Sequence, residues 1–193
     1  TSALFNNPST LALDPMGNLF VADELNHTIR KMTRVGTNWI VSLFAGQPAL
    51  PGLKDGIGTA AHFNSPSGLA ADALGNLFVA EPNSCVLRKI TPDGVVTTLA
   101  GLAGVPGGTD GVGRLARATT LRGVATDAAG TIYLADFGNH TIRKATPSAG
   151  ISIVQAPVSQ VQSEEGDVEL VAQAVGRGPF VYQWFFNGNA LAG

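Results

Sequence analysis

The stretch LAADALGNLFVAEPNSCVLRKIT, from Leu69 to Thr91, decides the fold of this chain because its pattern occurs three times. It also runs as LALDPMGNLFVADELNHTIRKMT from Leu11 to Thr33 and as VATDAAGTIYLADFGNHTIRKAT from Val124 to Thr146, so the spacing between copies is nearly constant. A second phrase recurs between the copies, from Phe44 to Phe63 and again from Leu99 to Ala118. Self-similarity at a fixed period indicates a repeat architecture in which each unit packs on its neighbours. The repeat unit therefore includes the connection to the next unit.

Within each copy, short apolar runs alternate with turn residues. In the middle copy the runs lie at Gly68–Ala71, Leu77–Ala80, Val86–Ile90 and Val95–Leu99, which are lengths typical of strands. The phrase Asp-x-x-Gly separates the first two runs in every copy. Its Asp supplies a side-chain acceptor at the start of a turn, and its Gly accepts a positive φ at the end. We therefore predict an all-β fold in which each repeat is one four-stranded antiparallel blade of a propeller.

Composition agrees with a packed β-protein and narrows the class of partner. Hydrophobic residues make up 45% of the chain and charged residues only 13%, while 24 Gly and 11 Pro indicate many turns. The formal net charge of −2 argues against nucleic acid as the partner. Cys85, the single cysteine, cannot form an internal disulfide. No apolar run is long enough to cross a membrane, so we predict no membrane insertion.

The repeated phrases resemble the NHL repeat family. The resemblance rests on Pro-x-Gly-Leu-Ala-x-Asp at Pro66–Asp72, Gly-Asn-Leu-Phe-Val-Ala-Asp at Gly17–Asp23, Asn-His-Thr-Ile-Arg-Lys at Asn26–Lys31 and Asn139–Lys144, and Val-x-Thr-Leu-Ala-Gly at Val96–Gly101. It covers roughly residues 5 to 154. The resemblance implies a six-bladed β-propeller.

The predicted fold class has two parts. The first, residues 1–154, is a partial, three-blade segment of a six-bladed NHL-type propeller, with blades at about 5–46, 63–101 and 118–154. Three blades do not close a ring, so we expect a protein partner or further segments of the same chain to complete the propeller, and likewise the incomplete sandwich of the second part. The second, residues 155–193, resembles the N-terminal strands of an immunoglobulin-like β-sandwich, because Tyr182-Gln183-Trp184 precedes Asn187-Gly188 as in its third strand.

An acidic residue and an arginine lie seven positions apart in every copy. The spacing places both on one sheet face across a hairpin, and its repetition indicates a structural ion pair rather than acid–base chemistry. The predicted pairs are Asp23 with Arg30, Glu81 with Arg88 and Asp136 with Arg143.

The connections between blades supply the candidates for ligand binding. His62 is the one histidine outside the repeated Asn-His-Thr phrase, and the second connection carries a local arginine cluster. The Asp-Gly phrases of the two connections read as turns that order these loops. The candidate ligand-binding residues are His62, Arg114, Arg117, Arg122, Asp55 and Asp110. We predict that the connections share one rim with the turns at 24–27, 82–84 and 137–140, and that a ligand binds at this rim.

These patterns favour a non-catalytic binding or structural module. We predict a part of a larger secreted or cell-surface bacterial protein that binds protein or glycan through its inter-blade loops, located outside the cell, on its surface or in the periplasm. The sequence predicts no catalytic residue, no metal site and no cofactor, with Ca²⁺ kept as an alternative at the Asp-Gly phrases. Two other functions stay open: a metal-dependent lyase or hydrolase, as the propeller resemblance implies, and nucleic-acid binding through the arginine-rich loop.

Overall fold

The structure is a computed structural model that describes residues 3–146, 152–155, 173–175, 185–186 and 189–190. Contacts divide the chain into two units, Thr1–Pro147 and Ser148–Gly193, whereas the boundary predicted from sequence lies at 154/155. The described residues form antiparallel strands and four short 3₁₀ turns, without an α-helix. None of their helices has the length and apolar character to cross a membrane.

Each repeat builds one antiparallel sheet in the first unit. The first sheet has the order β1 (Pro8–Leu13), β2 (Leu19–Asp23), β3 (Thr28–Val35) and β4 (Asn38–Ala45). The second has the order β5 (Gly56–Ile57), β9 (Val95–Ala100), β8 (Val86–Ile90), β7 (Leu77–Glu81) and β6 (Gly68–Ala71). The third has the order β10 (Leu121–Thr126), β11 (Ile132–Asp136) and β12 (Thr141–Ala145). The prediction of an all-β chain with consecutive strands paired within each repeat is confirmed.

The predicted turn chemistry is also confirmed. Asp72 Oδ1 accepts hydrogen bonds from the backbone N–H groups of Leu74 and Asn76, each at 2.9 Å, and Gly75 closes the turn with φ +80°. The same bonds reach Asp14 and Asp127 in the other two copies. This turn therefore sets the register between the first and second strands of all three sheets.

The three sheets pack side by side through their first strands. β1 contacts β6, and β6 in turn contacts β10. Two hydroxyls join these strands directly, because Ser9 Oγ donates to Ser67 O at 2.9 Å and Thr126 Oγ1 donates to Ala71 O at 2.7 Å. The space between the first two sheets is filled by one apolar cluster that includes Ile29, and a second cluster around Leu87 fills the space between the second and third sheets.

The outward faces of the first and third sheets are uncovered within residues 3–146. Leu11 on β1 is 61% exposed, whereas Leu69 at the same repeat position in the second sheet is 3% exposed. At the other end, Ile142 on β12 is 76% exposed, whereas the equivalent Leu87 is fully buried. The difference follows from packing, because Leu69 and Leu87 each face a neighbouring sheet.

The second unit is described only in four short strands. β13 (Ser152–Gln155) pairs with β14 (Gln173–Val175), and β15 (Phe185–Phe186) pairs with β16 (Asn189–Ala190). Residues up to 154 were assigned to the third blade from sequence, but Ser152–Gln155 pairs within the second unit. The residues that carry the immunoglobulin-like resemblance, Tyr182 to Trp184, lie outside the described residues, so the sandwich stays a prediction.

Candidate functional site

The structure brings together the acid and the arginine of each repeat. Arg88 Nη1 lies 2.8 Å from Glu81 Oε1, and both side chains are fully buried. The equivalent Arg30–Asp23 and Arg143–Asp136 pairs are each separated by 3.4 Å. Glutamate is one methylene longer than aspartate, which accounts for the closer approach in the second sheet.

Burial acts on the pKa of the acid in the second and third sheets. Burial raises the pKa of Glu81 to about 7, although the nearby Arg88 and the Asn64 N–H, which donates to Glu81 Oε2 at 2.6 Å, both favour the carboxylate. Burial also opposes ionisation of Asp136, but hydrogen bonds from Asn139, Thr119 and Thr120 outweigh it and hold the pKa of Asp136 below its ordinary value. The same repeat position thus carries two carboxyls with opposite pKa shifts.

Two of the candidate ligand-binding residues, Asp55 and Asp110, form ion pairs with the arginines of these acid–arginine pairs. Asp55 Oδ1 lies 2.8 Å from Arg88 Nη2 and also accepts from the Thr98 hydroxyl at 3.0 Å. Asp110 Oδ1 lies 2.5 Å from Arg143 Nη2. The sequence predicts a turn at Asp55–Gly58, but Gly56–Ile57 forms a short strand that pairs with β9, and a 3₁₀ turn follows it.

The arginine cluster of the second connection does not act as one basic patch. Arg117 Nη1 donates to the carbonyls of Arg114 and Ala116, so its guanidinium closes the loop on itself. Arg122 instead lies with its guanidinium carbon 4.8 Å from the centre of the Phe137 ring. Arg114 is exposed on a 3₁₀ turn at Gly113–Leu115.

His62 contributes its backbone to the scaffold. Its N–H donates to Lys54 O at 3.0 Å, and its carbonyl accepts from Arg88 Nη1 at 3.1 Å. The repeated turn position occupied by His27 and Cys85 links neighbouring sheets instead. His27 Nδ1 accepts from the Ser65 N–H at 3.1 Å, and Cys85 Sγ donates to Thr119 O at 2.9 Å. Burial, and to a lesser extent the charge of Asp136, raises the pKa of the Cys85 thiol.

A pocket of about 290 Å³ lies where the first strands of the three sheets begin; we call it the first-strand pocket. It is lined by Ser9, Thr10, Glu24, Ser67, Pro82, Asn83, Thr120 and Arg122. Glu24, Pro82 and Asn83 belong to the turns after the second strands, which lie at the same end of each sheet. The connections return to this end, since Ala49 N–H donates to Asn26 O and Gly104 N–H donates to Ser84 O. The prediction that connections and turns share one rim is confirmed.

The repeat spacing explains how the pocket is assembled. Ser9, Ser67 and Arg122 occupy one repeat position, because each lies two residues before the start of its copy at Leu11, Leu69 or Val124. Since the first strands of neighbouring sheets lie side by side, one position contributes three side chains to one pocket. Ser67 Oγ is buried and has no hydrogen-bond partner in the described part of the chain. Arg122 is the one member of the six candidate ligand-binding residues that lines this pocket, and the predicted rim adds Glu24, Pro82 and Asn83. Aligning the copies position by position also points to both serines.

The pocket combines hydroxyl, amide, carboxylate and guanidinium groups. Glu24 Oε2 accepts from Asn7 Nδ2 at 3.2 Å, which restrains the carboxylate, and the stacking on Phe137 restrains Arg122. Such a set can donate to and accept from a polar ligand at several points at once. Within residues 3–146 and the four described strands of the second unit, no three His, Cys, Asp or Glu side chains lie close enough to hold a metal ion.

Comparison with known proteins identifies the repeated unit. Residues 5–32 and 120–145 match the NHL repeat. These segments are NHL repeats. The protein Suppressor of quenching 1, chloroplastic, from Arabidopsis thaliana is 38% identical over 74 residues, which is 38% of this chain but only 7% of that protein. The chain therefore spans less than a tenth of this curated relative.

Solved structures show that the NHL repeats are arranged as in propeller-type proteins. A structural genomics protein of unknown function from Bacteroides thetaiotaomicron matches with a TM-score of 0.66 and 25% identity, over 75% of this chain and 36% of that one. An auxiliary nutrient binding protein from Bacteroides ovatus matches with a TM-score of 0.62 and 24% identity, over 72% of this chain and 37% of that one. This chain spans little more than a third of their length, and the second likeness concerns the fold alone.

Proposed function

We propose that this chain is a non-catalytic binding module of a larger secreted or cell-surface bacterial protein, and that its ligand binds in the first-strand pocket. One observation carries the proposal: three copies of the repeat contribute the same position, Ser9, Ser67 and Arg122, to the lining of one pocket. A position that only stabilised the scaffold would be expected to keep one chemistry in every copy, as the acid–arginine pairs do. An extracellular, cell-surface or periplasmic location belongs to the same proposal.

The ligand that the pocket chemistry fits best is a glycan. Sugar hydroxyls both donate and accept hydrogen bonds, which matches the mixed lining of serine, threonine, asparagine and carboxylate groups. The volume of about 290 Å³ suits one small unit of a longer glycan rather than a whole chain.

The partner we propose is further propeller structure that packs on the two uncovered faces. Leu11 and Ile142 occupy repeat positions that are buried wherever a neighbouring sheet is present. A blade on either side would bury them as Leu69 and Leu87 are buried. Either a protein partner or further segments of the same chain would supply such blades, and the first-strand pocket would then continue into the completed ring.

Binding to immobilised glycans tests the proposal, with arginine variants as matched controls. Arg122→Ser removes the cation from the pocket, whereas Arg114→Ser makes the same change of charge at an exposed position outside it. We expect Arg122→Ser to weaken binding about tenfold or more, as for the loss of a charged hydrogen bond, and Arg114→Ser to leave it unchanged. Equal effects of the two variants, or binding to no glycan, would contradict the proposal.

The enzyme alternative predicts different results for the same purified protein and the same glycans. A metal-dependent lyase or hydrolase would carry bound metal in stoichiometric amount and would turn over lactone, ester or glycan substrates. Elemental analysis of the purified full-length protein, followed by mass spectrometry of the incubated glycan, separates the two functions. Bound metal together with a cleaved product would reject the binding module and support the enzyme.

A further inference from the structure

The arginine of the repeated acid–arginine pair makes two sets of contacts in the second sheet. Arg88 Nη1 donates to Glu81 at 2.8 Å and to His62 O at 3.1 Å. Its Nη2 donates to Lys54 O at 3.0 Å and to Asp55 Oδ1 at 2.8 Å. Nη1, the first arm, therefore joins the hairpin of its own sheet to the end of the preceding connection, whereas Nη2, the second arm, contacts that connection alone.

The third sheet repeats both arms, one repeat further along the chain. Arg143 Nη1 contacts Asp136 and Arg117 O, and Nη2 donates to Thr109 O at 3.0 Å and to Asp110 Oδ1 at 2.5 Å. In both sheets the carboxylate lies 33 positions before the arginine. The second arm is thus a property of the repeat rather than of one loop.

The first sheet has only the first arm. Arg30 Nη1 donates to Asp23 Oδ2 at 3.4 Å and to Leu4 O at 3.3 Å, as its equivalents do, and its guanidinium lies 5.4 Å from the Phe5 ring. Arg88 stacks on Phe63 in the same way at 5.3 Å. Arg30 Nη2, however, has no acceptor among residues 3–146, and the Arg30 side chain is 19% exposed whereas that of Arg88 is fully buried.

The neighbouring sheet edge is open at the matching place. In the second sheet, Gly56 and Ile57 of β5 pair with Val96 and Val95 at the outer edge of β9. The equivalent residues of β4, judged by their pairing with β3, are Val41 and Ile40, and Ile40 is 54% exposed. β4 is the last strand of its sheet within the described residues, so its outer backbone groups are available for another strand.

We propose that Arg30 and the outer edge of β4 form a docking site for an extended Asp-Gly-x-Gly segment. The Asp carboxylate pairs with Arg30 Nη2, and the next two residues add a short strand along Val41 and Ile40, as Asp55 to Ile57 do in the second sheet. The source to which we commit is the connection of a preceding repeat, because each observed segment precedes the sheet that it covers. Its Asp would lie 33 positions before Arg30, N-terminal to Thr1, by analogy with Asp55 and Arg88. This proposal does not depend on the ligand of the first-strand pocket.

A peptide copy of residues 53–63, LKDGIGTAAHF, added to the full chain tests the docking site. Trp39 lies on β4 beside Ile40 and is 43% exposed, so its fluorescence should change on binding, and the change should disappear in a Trp39→Phe variant. We expect saturable binding of this peptide. The peptide with Asn in place of its Asp should bind about tenfold more weakly or worse, because a charged hydrogen bond is lost.

Two arginine variants locate the peptide. Arg30→Lys keeps the charge but loses the forked guanidinium, so we expect weaker binding, whereas Arg143→Lys alters a site already filled by Asp110 and should leave binding unchanged. Placing a copy of residues 53–58, LKDGIG, directly ahead of Thr1 gives its Asp the same spacing of 33 positions from Arg30 that Asp55 has from Arg88. This fusion should raise the denaturant midpoint and abolish binding of added peptide. Absence of saturable binding at millimolar peptide, equal binding of the Asp and Asn peptides, or a fused segment without effect would each overturn the proposal.

Discussion

Replacing the isoleucine at one repeat position by alanine, in a covered sheet and in an uncovered sheet, measures how much a neighbouring sheet contributes to the free energy of unfolding. Ile29 and Ile142 occupy the same position of the first and third sequence copies, but Ile29 is fully buried and Ile142 is 76% exposed. Ile→Ala removes three carbon atoms, which is about 2.4 kcal/mol at ~0.8 kcal/mol per buried methylene group. A cavity adds to this value at Ile29, so we expect Ile29→Ala to lower the free energy of unfolding by about 3 kcal/mol, within the usual range of about 2–5 kcal/mol. Only about a quarter of the Ile142 side chain is buried, so Ile142→Ala should lower it by about 0.6 kcal/mol.

Urea unfolding followed by Trp39 fluorescence in a Trp184→Phe background reports on the first unit, because Trp39 lies on β4. The two variants are matched in chemistry and repeat position, and they differ in the presence of a covering sheet. If Ile142→Ala were as destabilising as Ile29→Ala in this chain, the outer face of the third sheet would already be covered, and the argument for further blades would fail. In a longer protein that supplies those blades, the difference between the variants should disappear.

Three further predictions concern stability. The pKa of Glu81 is raised to about 7 from its ordinary 4.5, so the protonated Glu81 stabilises the folded state below pH 4.5, and this contribution is lost as pH rises through 7. Glu81→Gln lacks this loss, so its urea midpoint relative to that of wild type should increase as pH rises. Midpoints of the two proteins that change in parallel with pH would contradict this prediction. Asp136→Ala leaves Arg143 without its buried partner and should cost about 1–3 kcal/mol, whereas Glu24→Ala at a turn should cost under about 0.5 kcal/mol; equal midpoints would remove the scaffold role of the pair. Gly101→Ala should melt at lower temperature than Gly104→Ala, because its Cβ would meet a backbone carbonyl at 2.3 Å while that of Gly104 meets open space, and equal melting temperatures would contradict this.

Local signals made the strands predictable. The runs predicted at Gly68–Ala71 and Val86–Ile90 coincide with β6 and β8, and β7 and β9 each extend one residue further than predicted. Apolar runs and nearby turn residues decide these elements, so no knowledge of the fold is needed. The acid and arginine of each pair are seven residues apart, so they too lie within one hairpin.

Long-range contacts were not predictable in the same way. Asp55 reaches Arg88 across 33 residues, and nothing near Asp55 in sequence indicates a strand of only two residues beside β9. Read locally, Asp-Gly-Ile-Gly is a turn, and tertiary pairing overrides that preference. The first-strand pocket combines positions that lie a whole repeat apart in sequence, which become neighbours only because the first strands of successive sheets lie side by side.

Comparison of the three copies distinguishes positions that stabilise the fold from positions that determine the chemistry of the first-strand pocket. An acidic residue and an arginine are paired in all three sheets, and replacing the acid would leave the arginine without its partner. The pocket position changes from Ser9 in the first sheet to Arg122 in the third, while the register shift of the strand pairing at this position is the same in both sheets. Its side chains face a cavity, so their size and charge are not fixed by packing. We infer that in this fold the choice of ligand is free to vary independently of the scaffold, which is what a repeat-built binding module requires.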